Sequence, residues 1–234
     1  MNKLLFTLII GFLLPSLILA QTSTEAGLFI GASNYMGDLS PSPVAANETH
    51  LAVGGQYRQM FTPNFGVRGT VSMSKISGDD ANVPKAVPNE NNRRWSMEAG
   101  LFEVALHAEW HPMSQPRFNN AGLYSRQFSP FVGLGLGLAF AEAEVKTTDE
   151  KDRLKFPENG ARSSYFVTPI TFGIRFDVTE NWMISGEFGV RPTFSDYLDG
   201  VSENGISENK DWYLQGGITV LYLIQADLGP AYRN

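Results

Sequence analysis

The sequence predicts an all-β fold: an antiparallel transmembrane β-barrel of about eight strands, preceded by a cleavable signal peptide. Three observations carry this reading. Residues 4–19 form a short apolar run behind Lys3, broken at Pro15, and Ala20 then precedes polar Gln21, which is the pattern of an export signal occupying residues 1–20. Residues 21–234, read as one domain, hold no second long apolar run but repeated alternating stretches such as Val67-Arg68-Gly69-Thr70-Val71-Ser72-Met73-Ser74. Glycine (23 residues) and aromatic residues (12%) are both abundant, as strands with aromatic ends require. Alternate side chains of a strand point to opposite faces. An exported chain whose strands are greasy on one face and polar on the other fits a closed barrel in a membrane.

Composition narrows the function classes. With 0 Cys there is no disulfide and no lipidated N-terminal cysteine. A formal net charge of -6 speaks against nucleic-acid binding. The alternative for the first twenty residues, an uncleaved helical anchor, would need a longer and unbroken apolar run.

The strands follow in order. The first is expected over residues 25–36, with Ala26, Leu28 and Ile30 on the apolar face. The second, over 49–60, turns Leu51, Val53 and Tyr57 outward and Gln56 and Arg58 inward; 61–65 is a compact turn. The third, over 66–76, carries Arg68, Thr70, Ser72 and Ser74 on its polar face. The fourth, over 95–110, opposes Phe102, Val104 and Leu106 to Glu103, His107 and Glu109. The fifth, over 129–145, alternates Val132, Leu134, Leu136, Leu138 and Phe140 with Gly133, Gly135, Gly137 and Ala139. A glycine row on the inner face leaves room for long side chains from opposite strands in a narrow lumen. A period of two, with no following helix, excludes a dinucleotide-binding loop. The sixth strand covers 163–178, the seventh 182–193 and the eighth 211–225, with Arg175, Glu187 and Arg191 inward.

Loop lengths set an orientation. Short turns at 61–65 and 179–181 are expected to face the periplasm, with longer segments near 37–48, 77–94, 146–162 and 194–210 outside. Both ends of the mature chain then lie in the periplasm. Trp95 and Trp212 are expected at the outer rim and Trp110 and Trp182 at the inner rim, as aromatic girdles. Residues 111–127 break the pattern, being long where a periplasmic turn is expected.

The inward set Arg58, Arg68, Glu103, His107, Glu109, Arg175, Glu187 and Arg191 reads as an ion-pair network filling the lumen, because a buried charge needs a partner. A pore or proton path is the competing reading. His107 between Glu103 and Glu109 is the one arrangement resembling an acid-base site, and it underlies an alternative as an outer-membrane lipid-modifying enzyme. Ser72 and Ser185 are inner-face serines, though spacing places neither as a nucleophile. His50 and His111 read as loop or rim residues. Asp38, Asp79, Asp80, Asp196, Asp199 and Asp211 fall at strand ends; Asp38, Asp196, Asp199 and Asp211 are weak candidates for a hard cation, and turn formation is the preferred explanation. No catalytic residue, cofactor or metal is assigned.

Four segments resemble a known family. They are Tyr35-Met36-Gly37-Asp38-Leu39, Ile76-Ser77-Gly78-Asp79-Asp80-Ala81, the run Arg191-Pro192-Thr193-Phe194-Ser195-Asp196-Tyr197-Leu198-Asp199, and Asp211-Trp212-Tyr213. In this order they resemble the PorG-like outer-membrane barrels of Bacteroidetes, across essentially the whole mature chain. The resemblance implies a barrel and, through the family's best-known member, a structural or adaptor part in the type IX secretion system, contacting a periplasmic ring component. Many relatives are unassigned paralogues. Segment 111–127 offers Arg117, Phe118, Tyr124 and Arg126 for such a periplasmic contact, and the tail adds Tyr232 and Arg233. The expectation is a non-enzymatic barrel in contact with outer-membrane lipid, with a small-solute porin as a further alternative.

Overall fold

A computed structural model of the chain describes residues 22–36, 46–79, 95–119, 123–147, 161–193 and 211–227. The expected signal peptide lies outside the described residues, as do Asp38, Asp80, Asp196, Asp199, Tyr232 and Arg233. The strands are β1 (Thr22–Met36), β2 (His50–Met60), β3 (Phe65–Asp79), β4 (Trp95–Trp110), β5 (Phe128–Thr147), β6 (Ala161–Val167), β7 (Ile170–Asp177), β8 (Trp182–Pro192) and β9 (Trp212–Asp227). A single 3-10 turn, Ala46–Glu48, precedes β2. Every pairing is antiparallel, and the β1–β9 and β4–β5 ladders close the sheet into a ring. Closure leaves no general free edge, which is how a β-structure survives in lipid.

The ring has nine strands but eight wall positions. The expected sixth strand is divided at Pro169, which has no N–H to give to a ladder. Register passes through the break unchanged: Gly137 faces Val167 and Leu134 faces Ile170. The Pro169 carbonyl still accepts from Gly135 N at 2.8 Å, so β6 and β7 act as one interrupted stave against β5.

Alternation decides the two faces. Leu28, Ile30, Leu51, Leu106, Leu134 and Leu136 are each more than half exposed, on the outer wall. So broad an apolar surface is stable only against lipid. On β5 the belt ends between Phe140 and Glu142, where the outer face becomes Glu142, Glu144 and Lys146. Trp110, Trp182 and Trp212 face outward at the strand ends, as expected of a girdle. Trp95 does not. It is 4% exposed and packs inside with Tyr35, Ile76, Met97 and Tyr165, because its position on β4 shares the inward parity of Met97 and Leu101. The lumen at this end is therefore filled by apolar side chains, a layer absent from the charge-only reading.

The glycine row on β5 is inward, and it makes room for β4 rather than for opposite strands. A Cβ on Gly135 would lie 2.8 Å from His107 Nδ1 and 3.0 Å from the Leu106 carbonyl oxygen, and one on Gly137 would lie 2.7 Å from Ala105 Cβ. Adjacent inward residues on paired strands compete for the same small volume, so large on β4 needs small on β5.

One end of the barrel carries the short turns. Phe61 N donates to the Phe65 carbonyl at 3.0 Å, and Val178 N to the Trp182 carbonyl at 2.9 Å. Thr22 and Asp227 pair at this same end. The connection from β4 to β5, residues 111–127, also lies here; its residues 120–122 are outside the described set.

Candidate functional site

Inward parity on β1, β2, β3, β4, β7 and β8 brings the charges together near the short-turn end. Glu109 accepts from Arg58 Nε at 2.6 Å and forms an ion pair with Arg68, whose Nε lies 2.9 Å away but outside hydrogen-bond geometry. Arg58 Nη1 reaches Glu25 at 3.3 Å, and Glu25 also holds Arg175 Nη1 at 3.0 Å. Arg68 Nη1 donates to Glu187 and, at 2.9 Å, to Gln56. Phe131 of β5 lies under two of these cations, 5.4 Å from the Arg58 guanidinium carbon and 5.7 Å from that of Arg68. Cation–π attraction is worth more in a desolvated site, which suits this arrangement. Higher in the lumen Glu103 takes a bond from Arg191 Nε at 3.1 Å and another from the Tyr213 hydroxyl. Arg191, Glu103 and Tyr213 form a second, separate cluster below the apolar layer.

Seven of the eight expected network residues are thus engaged in ion pairs. His107 is the exception: its bond is to the Thr70 hydroxyl at 3.2 Å, and its Nδ1 is buried without a partner beside Gly135. No hydrogen bond joins it to Glu103 or Glu109 among the described residues. Both of those carboxylates are spent on arginines, and Ser185 Oγ is buried without any partner. The acid-base arrangement expected from spacing along β4 is therefore not assembled here.

The sequence reading missed two acids. Glu25 bridges Arg58 and Arg175, and Asp177 takes Arg117. Parity could have found both. Glu25 alternates with outward Ala26 and Leu28, and Asp177 lies two residues beyond inward Arg175. His111 was expected at the rim, and its ring is fully buried there. It stacks on Phe131 at 5.1 Å and contacts Ser129 Oγ at 3.1 Å.

Residues 111–119 and 123–127 form a strap across the mouth. Asn64, in the β2–β3 turn, donates through Nδ2 to the carbonyls of His111 (2.7 Å) and Ser114 (3.1 Å). On the other side Arg117 donates to Asp177 (2.9 Å) and to the Glu180 carbonyl (2.9 Å). Tyr124 donates to the Thr179 carbonyl at 3.0 Å, and Arg126 to the Val178 carbonyl at 3.0 Å. The strap folds on itself through a Ser125 N to Arg117 O bond at 2.7 Å and a Phe118–Tyr124 bridge. Burial and the Asp177 carboxylate raise the Tyr124 phenol above its ordinary value.

This placement corrects the expected docking set at two residues. Arg117 and Phe118 are buried, at 6% and 8%, because they anchor the strap to the wall. What the strap presents to solvent is Met113 and Leu123, at 63% and 65%, with Pro112, Pro116 and Arg126. Of the aspartates at strand ends, Asp211 is buried and accepts from the Tyr35 hydroxyl at 2.6 Å, tying β9 to β1. Among the described residues no group of three or more His, Cys, Asp or Glu could hold a metal ion.

A family model described as Domain of unknown function (DUF6089) matches residues 3–232. The chain belongs to this family. No curated protein matches the sequence. Among solved structures, Neisserial surface protein A is 9% identical, with 86% of this chain and 96% of that one covered and a TM-score of 0.44. The N-terminal β-barrel domain of Pseudomonas aeruginosa OprF is 11% identical, with coverages of 86% and 98% and a TM-score of 0.43. Ail, the attachment invasion locus protein of Yersinia pestis, is 14% identical in its complex with the heparin analogue sucrose octasulfate, with coverages of 87% and 99% and a TM-score of 0.40.

Proposed function

We propose that the protein is a non-enzymatic outer-membrane barrel with a filled lumen, acting as a structural or adaptor component that docks a periplasmic partner at its short-turn end. Its resemblance to PorG-like barrels makes a ring component of the type IX secretion system the partner to test first. The observation that carries the reading is the strap. Neighbouring strands β4 and β5 need only a tight turn, yet residues 111–119 and 123–127 cross the mouth and are bonded to both short turns. A connection that long is usually functional. Its underside holds the barrel, while Met113, Leu123 and Arg126 face outward, and exposed apolar and arginine side chains are what a binding hot spot uses.

The filled lumen weighs against solute passage. Two charged clusters and an apolar layer stand in series along the axis and fill the bore. The short-turn end faces the periplasm in this reading, as bacterial barrels place short turns there. The test is crosslinked co-purification from outer membranes with Met113→Asp and Leu123→Asp. Both variants should insert and resist detergent as the wild type does, and lose the periplasmic partner. Retention of every wild-type partner by the double variant would move the docking role away from the strap.

A further inference from the structure

Under the strap lies a cavity of about 30 Å³, lined by Ser23 of β1, Thr62 of the β2–β3 turn, Ser114, Arg117 and Phe118 of the strap, and Arg175 of β7. That volume admits a water molecule or one small ion. Both arginines are more than nine-tenths buried, and each has a donor left over. Arg117 spends Nε on Asp177 and Nη2 on the Glu180 carbonyl, and its Nη1 has no partner. Arg175 spends Nη1 on Glu25, and its Nε has no partner. The carboxylates that pair with these arginines do not line the cavity; its other polar walls include the hydroxyls of Thr22, Thr62 and Ser114, while the Ser23 hydroxyl donates to Glu25 at 3.5 Å. Hydroxyls can donate as well as accept.

We infer that this cavity binds a small monovalent anion, either a free halide or a carboxylate group, between Arg117 and Arg175. A buried donor on a cation is costly to leave unmet, and a charge-assisted bond to an anion is the strongest way to meet it. An anion can accept from two guanidinium N–H groups and from the hydroxyls together, whereas a water has two acceptor sites. Three independent pieces of chain converge on the ion: β7, the barrel's first strand and the strap. Occupancy therefore tightens the strap on the mouth. The site does not depend on the docking role proposed above; a partner that supplied an aspartate or glutamate side chain would be using the same chemistry.

The experiment uses the purified barrel in neutral detergent. Its unfolding midpoint is read from the gel-mobility shift in sodium chloride, bromide, acetate or sulfate at matched ionic strength. Chloride, bromide or acetate should give a saturable rise, since a ligand that binds only the folded state stabilises it. Sulfate, the largest of the four anions, should give a smaller one. Crystals soaked in bromide should show an anomalous peak between Arg117 and Arg175. A response to halide marks a free-ion site, and a response to acetate alone marks a receptor for a carboxylate side chain. Ser114→Leu fills the cavity without removing either guanidinium and should abolish the response while the barrel still folds. Should that variant misfold, Arg117→Lys keeps the charge, removes Nη1, and should weaken the response about tenfold. Identical midpoints in all four salts, an equal rise in sulfate, or density for water alone would overturn the assignment.

Discussion

Replacing Glu109 by Gln tests whether the lumen is held by charge pairing. Glu109 is fully buried, accepts from Arg58 at 2.6 Å and His111 at 3.4 Å, and pairs by charge with Arg68 at 2.9 Å. Around it Arg58, Arg68 and Arg175 face Glu25, Glu109 and Glu187, three charges against three. The substitution keeps the shape and leaves three against two. Breaking a buried pair in this way costs about 3–5 kcal/mol. Arg58 retains Glu25 and Arg68 retains Glu187, which places the expected loss toward the lower bound. Glu187→Gln is the internal comparison. Glu187 is 11% exposed and, among the described residues, pairs with Arg68 alone, which keeps Glu109, so about 1–2 kcal/mol is expected. The double variant Glu109→Gln with Arg58→Met restores two against two and should recover part of the loss, because Glu25 still has Arg175. The assay is reversible urea unfolding in lipid vesicles, followed by tryptophan fluorescence. Should Glu109→Gln cost less than Glu187→Gln, or should removing Arg58 as well deepen the loss, the network is not what holds the lumen together.

Other expectations follow from the same geometry. Gly135→Val should destabilise by about 1–3 kcal/mol through its clash with His107 and the Leu106 carbonyl. Gly100→Val, whose Cβ would meet nothing on the outer wall, should be neutral or better in the same unfolding assay. Planar-bilayer recording should show negligible conductance in the wild type, and a steady open channel would revive the porin reading. The Tyr124 phenol is raised when folded, so the stability it contributes is complete below its unfolded value near pH 10 and is lost as pH climbs through the folded one. Protease cleavage in the strap should therefore rise in strongly alkaline buffer, and Tyr124→Phe should flatten that rise.

The wall was legible because alternation is local. Each inward arginine and glutamate of β2, β3, β4, β7 and β8 could be placed by its adjacent outward apolar residue, and seven of the eight expected network residues do pair. The pairing itself was not legible. Which arginine meets Glu109 depends on the stagger between strands, and stagger comes from the whole ring. Arg58 faces Arg68 directly in the β2–β3 ladder, a like-charge match that is tolerable only because Glu109 lies one strand further on. Trp95 shows a different failure. Its place at a strand end suggested the girdle, but parity with Met97 and Leu101 outweighed position, since a strand cannot turn one side chain outward without a bulge.

The strap was the least legible element, and its length was the one clue available. Composition suggested a surface rich in arginine and aromatic residues, whereas Arg117 and Phe118 are turned inward. The reason is energetic. The wall leaves Asp177 buried at the mouth and the Glu180 carbonyl unspent beside it, and a guanidinium satisfies both at once. Anchoring and presenting residues then share the strap without the strict alternation of a strand. Arg117 and Phe118 face in, and Met113, Pro116 and Leu123 face out. A partner that grips this surface pulls on a segment bonded to the β2–β3 turn, the β7–β8 turn and the Arg58–Glu109 cluster through His111. Load applied at the mouth is thereby shared among five strands, β2, β3, β4, β7 and β8.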